Sequence, residues 1–531
     1  MLNCLRKMKI KQIQPILIND ISIIIFLTIL CTIPRVIFLS SIPPGLHGDE
    51  GCTGLDAIRI LKEGYIGPYV PCALGEPSGP IYFTALIFKL FGESIFWLRF
   101  SMAFFGIITI PLFYIFLRLF FQKFPSFLGT LFLSLSLIHI YYSRIGFKVI
   151  SAPAFVILTL IFLIRAERNK NNTDIALAGL FCGLGLYSYN AFVVFPITIF
   201  ALLLIRIIAS RFSTLHIKRF IIFTLIFLLS GSQLINFFIQ NPNAYLSHFK
   251  EASVDNPSYQ RAASLLSKTT LVVNNGLYNI KHFFIGYSID YVDGFGKYRT
   301  FDISIILFFL IGLIVSCIKV VKRRNFLYLF FIVSFIFLLS SSAFGSINFV
   351  AIYRRQIVPV IYIFFFVTIF IDYLSKIEHS IVRKISLTTI MIVLLLNSIA
   401  SLKIYFQKFA NDDRAKWVYA YQLTQISTFL HSLPKPLYVY FYSNRWSYQY
   451  ETLRFLAQAI PGKDRSTQFG VYSLINTRPN DKVVYLFLPE YSESFYSIQQ
   501  LYPNGETVIK KDKDGSILFF AYIIPKQKLM F

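Results

Sequence analysis

Two adjacent carboxylates, Asp49 and Glu50, are the first candidates for acid–base chemistry in this sequence. They follow the irregular run IPPGLHG and precede a segment, residues 51–64, whose Leu and Ile spacing predicts a helix. Residues 41–80 hold five acidic and two basic residues in a chain of formal net charge +25. A partly buried carboxylate with a raised pKa can take a proton from a hydroxyl group. The alternative is that both acids only stabilise the helix start through its dipole.

Four basic residues are candidates for binding an anionic group. Arg144 and Lys148 lie in the run SRIGFK, and Arg354 and Arg355 in the run IYRRQ, at the ends of apolar stretches. Arg binds phosphate through two parallel hydrogen bonds, and Lys supplies a point charge. The alternative for Arg144 and Lys148 is that their long side chains only reach toward a membrane interface.

The composition shows which elements must position these residues. The 531 residues are 56% apolar and only 15% charged, with a mean hydropathy of +0.62, whereas soluble proteins carry about 25% charged residues. This excludes a soluble enzyme, a disordered protein and a nucleic-acid-binding protein. Six cysteines without a CxxC pair exclude a disulfide scaffold and argue against a structural zinc site. The sequence therefore predicts an all-α polytopic membrane protein.

A helix that crosses the hydrocarbon core needs roughly 20 mostly apolar residues. Eleven stretches of the sequence meet this description, although two of them are short: 16–39, 95–118, 125–141, 149–165, 174–188, 191–208, 219–239, 302–320, 326–343, 356–374 and 384–402. The first has too long an apolar run for a cleaved signal peptide, so we expect a retained signal anchor. Residues 80–92 are apolar but too short to cross, and we expect them to lie along the interface.

The basic residues orient these spans. If the N-terminus is cytoplasmic, the cytoplasmic segments hold most of the Lys and Arg clusters beside spans: 6–11, 118–123, 165–170, 206–219, 319–324 and 376–384. The positive-inside rule then predicts a plasma-membrane protein with a cytoplasmic N-terminus and an extracytoplasmic C-terminus. The positive charge is thus explained by topology and not by nucleic-acid binding. Arg354 and Arg355 would lie outside, against this bias, which favours a function for the doublet.

This topology predicts two domains. Residues 1–402 form the transmembrane domain, with outer loops at 40–80 and 240–301, and residues 403–531 form a small extracytoplasmic α/β domain. Within the second domain the residue patterns predict alternating helices and short buried strands. The predicted helices are 412–433 and 447–460, and the predicted strands are 437–443, 482–489 and 516–524.

An acidic pair just after the first span, followed by a short helix, resembles the first outer loop of glycosyltransferase family 39. That family includes protein O-mannosyltransferases and bacterial aminoarabinose transferases that act on lipid A. Further similar stretches follow in the same order: GEPSGPIYF (75–83), HIYYSRIGF (139–147), GLGLYSYNAF (183–192) and YRRQIVP (353–359). The resemblance covers roughly residues 16–400. It implies a GT-C fold and transfer of a sugar from a polyprenyl-phosphate-linked donor, which requires no nucleotide cofactor.

The resemblance also implies roles for individual residues. It makes Asp49 the general base for the acceptor hydroxyl, with Glu50 beside it. The cations that face the donor phosphate are then Arg144, Lys148, Arg354 and Arg355, and the residues that contact substrate are Glu76, Tyr187 and Tyr189. The alternative for the two tyrosines is a place in the aromatic belt at the membrane interface.

Two positions depart from the family pattern. Many members have Lys where this chain has Ser78, and many have Asp where it has Val149. The second departure removes a carboxylate and puts a two-acid metal site in doubt. A divalent metal ion held by Asp49, with His47 as a second ligand, stays an alternative, although a lone His in a loop is more often solvated.

Cys52 and Cys72 are the two cysteines of the first outer loop, 20 residues apart. Because disulfides persist outside the cytoplasm, we expect these two to form one.

A transporter or flippase of lipid-linked sugars is the alternative from another functional class. It predicts ionisable residues near the middle of the spans, whereas the candidate residues here collect at one side. A mere membrane anchor for the C-terminal domain would not need eleven spans. The partners we expect are the lipid-linked donor, membrane lipid and an acceptor that is a lipid, a glycan or a protein.

The topology has a direct test. We expect a reporter that is active only in the cytoplasm to be silent when it is fused after Lys403, because the positive-inside rule places that point outside. Fusions within the basic segment 165–170 should be active and serve as the control. A bright fusion after Lys403 contradicts the assignment.

Overall fold

The computed structural model describes residues 18–72, 75–244, 265–284, 291–323, 326–340, 352–467 and 482–524. The chain divides into two compact units. The first comprises Met1–Ser40 and Arg59–Ala410, and the second comprises Ser41–Ile58 and Asn411–Phe531. This division differs from the predicted domains, because the start of the first outer loop, with Asp49 and Glu50, groups with the C-terminal residues.

The first unit is built from helices. Those that precede the second outer loop are α1 (Ile18–Val36), α3 (Gly79–Phe91), α4 (Ile95–Arg118), α5 (Lys123–Ser134), α6 (Leu137–Arg144), α7 (Ala152–Asn169), α8 (Asn172–Gly185), α9 (Val194–Ala209) and α10 (Thr214–Gln240). The later ones are α11 (Leu265–Phe284), α12 (Ile303–Arg323), α13 (Phe326–Ser340), α14 (Ile352–Arg355), α15 (Ile357–Ser375) and α16 (Ser380–Lys403). Helix α2 (Gly48–Glu63) begins in the second unit, and the short strands β1 (Tyr69–Val70) and β2 (Glu76–Pro77) pair antiparallel. The interfacial segment predicted over 80–92 coincides with α3.

Within the part of the chain that the structure describes, the eleven predicted apolar stretches lie on helices, and the stretch 125–141 lies on two of them, α5 and α6. The number of crossings is not confirmed. Among the described residues, seven helical segments are long and apolar enough to span a membrane: Ile95–Arg118, Lys148–Asn169, Asn190–Ala209, Thr214–Gln240, Ile303–Lys322, Ile357–Ser375 and Ser380–Phe409. An eighth is added if α5 and α6, which meet at a bend of 55°, form one broken span. Helix α8 has only 14 residues, short of the roughly 20 that a crossing needs.

A buried arginine forms hydrogen bonds with residues at the bend between α5 and α6. Arg35 of α1 is completely buried, and its guanidinium donates hydrogen bonds to the carbonyl oxygen of Ser134 (3.0 Å) and to Nδ1 of His139 (2.8 Å). The last carbonyls of a helix lack intrahelical partners, and leaving one unpaired in an apolar interior is costly. Arg35 therefore provides a hydrogen-bond donor for the last carbonyl of α5 and fixes the position of His139 at the start of the HIYYSRIGF motif.

The second unit contains a five-stranded mixed sheet in the order β4–β3–β5–β7–β6. Its strands are β3 (Leu437–Tyr442), β4 (Gly462–Asp464), β5 (Lys482–Phe487), β6 (Glu506–Lys511) and β7 (Ile517–Ile524), and its helices are α17 (Asp413–Val418), α18 (Tyr421–Ser432), α19 (Glu451–Leu456) and α20 (Ser492–Leu501). Strands β3, β4 and β5 pair parallel, whereas β7 pairs antiparallel with β5 and β6. The three buried central strands coincide with the predicted ones.

The C-terminal elements differ from the prediction in three places. The helix predicted over 412–433 is broken into α17 and α18 at Ala420, which has a left-handed backbone (φ +46°) and a buried side chain in the core of the second unit. The helix predicted over 447–460 is shortened to α19. Strands β4 and β6 were not predicted, because β4 has three residues and β6 is a largely exposed edge strand with the polar sequence ETVIKK.

Candidate active site

The predicted site residues fall in both units. Asp49 and Glu50 belong to the second unit. The residues of the first unit are Glu76, Arg144, Lys148, Tyr187, Tyr189, Arg354 and Arg355.

The start of α2 is held by a reciprocal pair of hydrogen bonds. The backbone N–H of Asp49 donates to Nδ1 of His47 (3.0 Å), and the backbone N–H of His47 donates to Oε2 of Glu50 (3.0 Å). This is a capping box in which His47 takes the place of the usual Ser or Thr and Glu50 occupies the third helical position. Glu50 is completely buried, so its carboxylate is engaged in stabilising the helix start.

Asp49 differs from its neighbour in exposure. Its side chain is 31% exposed, and Oδ1 lies 3.8 Å from Nδ1 of His47. Because Nδ1 accepts the backbone N–H of Asp49, the neutral imidazole carries its proton on the other ring nitrogen. Of the two predicted acids, Asp49 is thus the one whose carboxylate solvent or substrate can reach.

Glycines on one face of α2 allow the helix to pack closely within the second unit. A Cβ added at Gly51 would lie 2.7 Å from the carbonyl oxygen of Glu451, and one added at Gly54 would lie 2.5 Å from the ring of Phe455. Real Cβ atoms do not approach this closely, so the Gly-x-x-Gly spacing is required for the contact between α2 and α19. This contact fixes the backbone that carries Asp49.

In the first unit, Lys148 and Glu76 form a buried ion pair. The ammonium group of Lys148 donates a short hydrogen bond to Oε1 of Glu76. Lys148 lies at the start of a 3₁₀ turn before α7, and its side chain is 3% exposed, whereas that of Glu76 is 15% exposed. Burial of an ammonium group is costly without a counter-charge, and Glu76 supplies it.

A second ion pair joins Arg354 to Asp293. Nε of Arg354 donates to Oδ1 of Asp293 at 2.7 Å, and the guanidinium lies 4.4 Å from the ring centre of Phe147. The hydroxyl of Tyr142 donates to the backbone carbonyl of Asp293 (3.3 Å), and that of Tyr141 donates to the carbonyl of Tyr291 (3.0 Å). The HIYYSRIGF motif therefore supports the segment that carries Asp293.

Sequence reasoning missed Asp293. It lies in the run DYVDGFG of the second outer loop, where an acid among Tyr and Gly residues was the available signal. The usual acid is replaced by the buried Val149. Asp293 nevertheless provides a buried carboxylate, since its side chain is 4% exposed. Its partner could not be read from the sequence because 61 residues separate it from Arg354.

Tyr189 lies within the electrostatic reach of both ion pairs. Burial raises the pKa of Tyr189 to about 12; the charges of Arg354 and Arg355 oppose this shift, and those of Asp293 and Glu76 add to it. Tyr189 also lines an apolar cavity of about 300 Å³ between α9 and α10. The first unit thus brings together four predicted residues, namely Glu76, Tyr189, Arg354 and Arg355, and Lys148 joins them through its bond to Glu76.

Tyr187 is engaged in packing. Its hydroxyl accepts the backbone N–H of Leu234 (3.3 Å), and its carbonyl oxygen accepts the N–H of Gly79 (3.2 Å). It also lines a second cavity, of about 460 Å³, together with Ser188 and Gln233. These contacts hold the turn after α8 against the start of α3.

Arg144, the last residue of α6, lies in the interior of the first unit. It is completely buried, donates to the carbonyl oxygen of Pro34 (2.8 Å) and lies 4.8 Å from the ring centre of Phe406. The phosphate-binding role of Arg144 stays a prediction.

The cysteines are in two states. Cys52 and Cys72 are both disulfide-bonded. Among the described residues, Cys31, Cys182 and Cys317 are free thiols.

Comparison with known proteins identifies the fold. Residues 76–231 match a family model described as dolichyl-phosphate-mannose-protein mannosyltransferase. The chain is similar to the crystal structure of ArnT from Cupriavidus metallidurans bound to undecaprenyl phosphate, with a TM-score of 0.55, 11% identity and coverage of 94% of this chain and 97% of that chain. It is also similar to the apo oligosaccharyltransferase of Archaeoglobus fulgidus, with a TM-score of 0.51, 12% identity and coverage of 96% and 75%. No curated protein sequence matches it.

The chain therefore has the GT-C fold, and the resemblance to that class of membrane glycosyltransferases inferred from the motifs is confirmed. The matched family model and both solved structures are of glycosyltransferases. At 11–12% identity the structural likeness establishes the fold and not the substrates.

The buried pair in the first unit predicts a specific pattern of stabilities. Lys148→Met leaves the partly buried Glu76 without its cation, and breaking a buried pair costs about 3–5 kcal/mol. The double variant Glu76→Gln/Lys148→Met removes both charges and should recover most of that loss. Thermal unfolding of the detergent-purified protein measures this, with Lys89→Met at an exposed position of α3 as the control. A double variant as unstable as the single one contradicts the pairing.

Proposed function

We propose that this protein is a membrane glycosyltransferase that moves a sugar from a polyprenyl-phosphate-linked donor to an acceptor hydroxyl on the outer face of the plasma membrane. The observation that carries the proposal is the charged cluster of the first unit, which borders an apolar cavity in a chain with the GT-C fold. The predicted topology, with a cytoplasmic N-terminus, puts the acidic loop on the outer face.

The charge of the cluster suits a phosphodiester. Lys148, Arg354 and Arg355 supply three positive charges, and Glu76 and Asp293 supply two negative ones. The net charge of about +1 balances the single negative charge of a sugar linked to a polyprenyl phosphate. When the sugar leaves, the phosphate gains a further negative charge, and fixed cations stabilise that change because they need no reorganisation.

The neighbouring cavity suits the hydrocarbon part of such a donor. Tyr189 lines it together with apolar side chains, which include Leu186, Pro196, Ile197, Phe200, Phe227 and Leu234. A polyprenyl phosphate needs a charged site and an apolar groove side by side, and Tyr189 connects the two. The binding of undecaprenyl phosphate by the similar ArnT supports this choice of donor.

The proposed reaction is a single displacement. The carboxylate of Asp49 takes the proton of the acceptor hydroxyl, and the acceptor oxygen forms a bond to the anomeric carbon of the sugar. The bond between that carbon and the phosphate oxygen breaks, and the phosphate keeps the electron pair. No nucleotide takes part, because the sugar is already activated by the phosphate.

Asp49→Asn should lower the rate of sugar transfer by about 10²–10⁴, because it removes the base while it preserves size and most hydrogen bonds. Glu50→Gln is the matched control, since Gln at the third helical position can still accept the His47 N–H. Both rates are measured in membranes with equal protein levels. Near-wild-type transfer by Asp49→Asn would show that the acid serves only the helix start. The same assay with and without EDTA tests whether a divalent metal ion on Asp49 takes part.

Deletion of the gene should cause the unconsumed polyprenyl-linked sugar to accumulate, and mass spectrometry of the lipid extract would identify the sugar. For a transferase, the accumulated lipid lies in the outer leaflet, where a membrane-impermeant enzyme can modify it. Accumulation confined to the inner leaflet would favour the flippase alternative.

A further inference from the structure

Tyr450 of the second unit reaches the start of the helix that carries Asp49. It directly precedes α19, and its backbone is fixed by a hydrogen bond from its N–H to the carbonyl of Ser447 and by one from Arg454 to its own carbonyl, each 3.0 Å long. Its ring is partly buried and packs against the apolar core of the unit. The ring is therefore anchored at a fixed position, and the hydroxyl extends from it.

The hydroxyl of Tyr450 lies against Gly48, the first residue of α2. A Cβ added at Gly48 would lie 2.5 Å from the hydroxyl oxygen and 2.8 Å from the ring carbon that carries it. This approach requires a glycine at position 48, so the hydroxyl of Tyr450 packs directly against the first residue of α2. The next residue of the same turn is also held, because the backbone N–H of Asp49 donates to Nδ1 of His47.

The hydroxyl also senses the charge of Asp49. Burial raises the pKa of Tyr450, and the carboxylates of Asp49 and Glu451 raise it further, while Arg445 opposes them.

We infer that Tyr450 is a positioning residue for Asp49: its hydroxyl packs against Gly48 and fixes the first turn of α2, from which the Asp49 side chain extends. The inference rests on the proposed function, because it adds a residue to the proton-transfer step of that reaction. It also gives the C-terminal residues of the second unit a role in the chemistry, since Tyr450 and the sheet belong to the same core.

The test compares two tyrosines that lie two residues apart in the same core. Tyr450→Phe removes the hydroxyl at Gly48, and Tyr448→Phe removes a hydroxyl that donates to the carbonyl of Ile460 (3.1 Å). The donor is the lipid-linked sugar isolated from the deletion strain, and membranes of that strain supply the acceptor. We expect Tyr450→Phe to lower kcat about tenfold to a hundredfold, the scale of a small misplacement of a reacting group, with the donor KM within about twofold. Tyr448→Phe should keep the wild-type kcat.

Gly48→Ala provides a second variant that does not touch the tyrosine. Its methyl group would displace the hydroxyl, so we expect a loss of kcat similar to that of Tyr450→Phe. Because both changes remove one interaction, the double variant should lose no more than either single variant. Additive losses in the double variant would overturn the shared role.

The remaining outcomes separate this inference from the proposed function. If Asp49→Asn is inactive while Tyr450→Phe keeps the wild-type kcat, the role of Tyr450 is wrong and the proposed function stands. Equal losses of kcat and of thermal midpoint in both Phe variants would show a structural role only. If Asp49→Asn transfers sugar at the wild-type rate, Asp49 is not the base and the role of Tyr450 is wrong with it, whereas a wild-type protein that transfers no sugar overturns the proposed function.

Discussion

The cost of an ionised side chain in an apolar interior governs the first unit. Arg118 of α4 pairs with the fully buried Asp20 of α1 at 2.9 Å, Lys148 pairs with Glu76, and Arg354 pairs with Asp293 at 2.7 Å. Each pair joins segments that are distant in sequence, so each fixes how those segments meet. In the proposed reaction the same requirement preorganises the charged cluster, because cations that are paired with carboxylates present a fixed field to the donor phosphate.

A related constraint, the need of the unpaired N–H groups at a helix start for acceptors, gives the neighbouring acids Asp49 and Glu50 different roles. Glu50 is buried and accepts the N–H of His47, so it is committed to the helix. Asp49 is left with an accessible carboxylate on a backbone that the second unit holds in place: the hydroxyl of Thr452 donates to the carbonyl of Leu46 at 2.9 Å. An acid–base residue benefits from such rigidity, since proton transfer depends on short, well-directed contacts.

The recognisable motifs act here mainly as supports. Tyr141 and Tyr142 of the HIYYSRIGF run hold the carbonyls of the segment that ends at Asp293, and His139 of the same run accepts a hydrogen bond from Arg35. The motif thus carries little of the charge chemistry itself, apart from Lys148 directly after it. The chain lacks the usual acid at Val149, but the motif supports the segment that carries Asp293, and Asp293 is a buried carboxylate beside Arg354.

The sequence by itself determined the positions of the helices and central strands, because runs of apolar or β-branched residues are local signals. It also made Asp49 and most of the cationic cluster candidates for the site. Tertiary structure alone decided which apolar stretches are long helices. The stretch 125–141 is divided after Ser134, where the guanidinium of Arg35, from the distant helix α1, donates a hydrogen bond to the Ser134 carbonyl oxygen. Tertiary structure also decided the partner of Arg354, the separate fates of Asp49 and Glu50, and the place of residues 41–58 in the second unit. These depend on pairing and close packing between residues far apart in the chain, which no local pattern records.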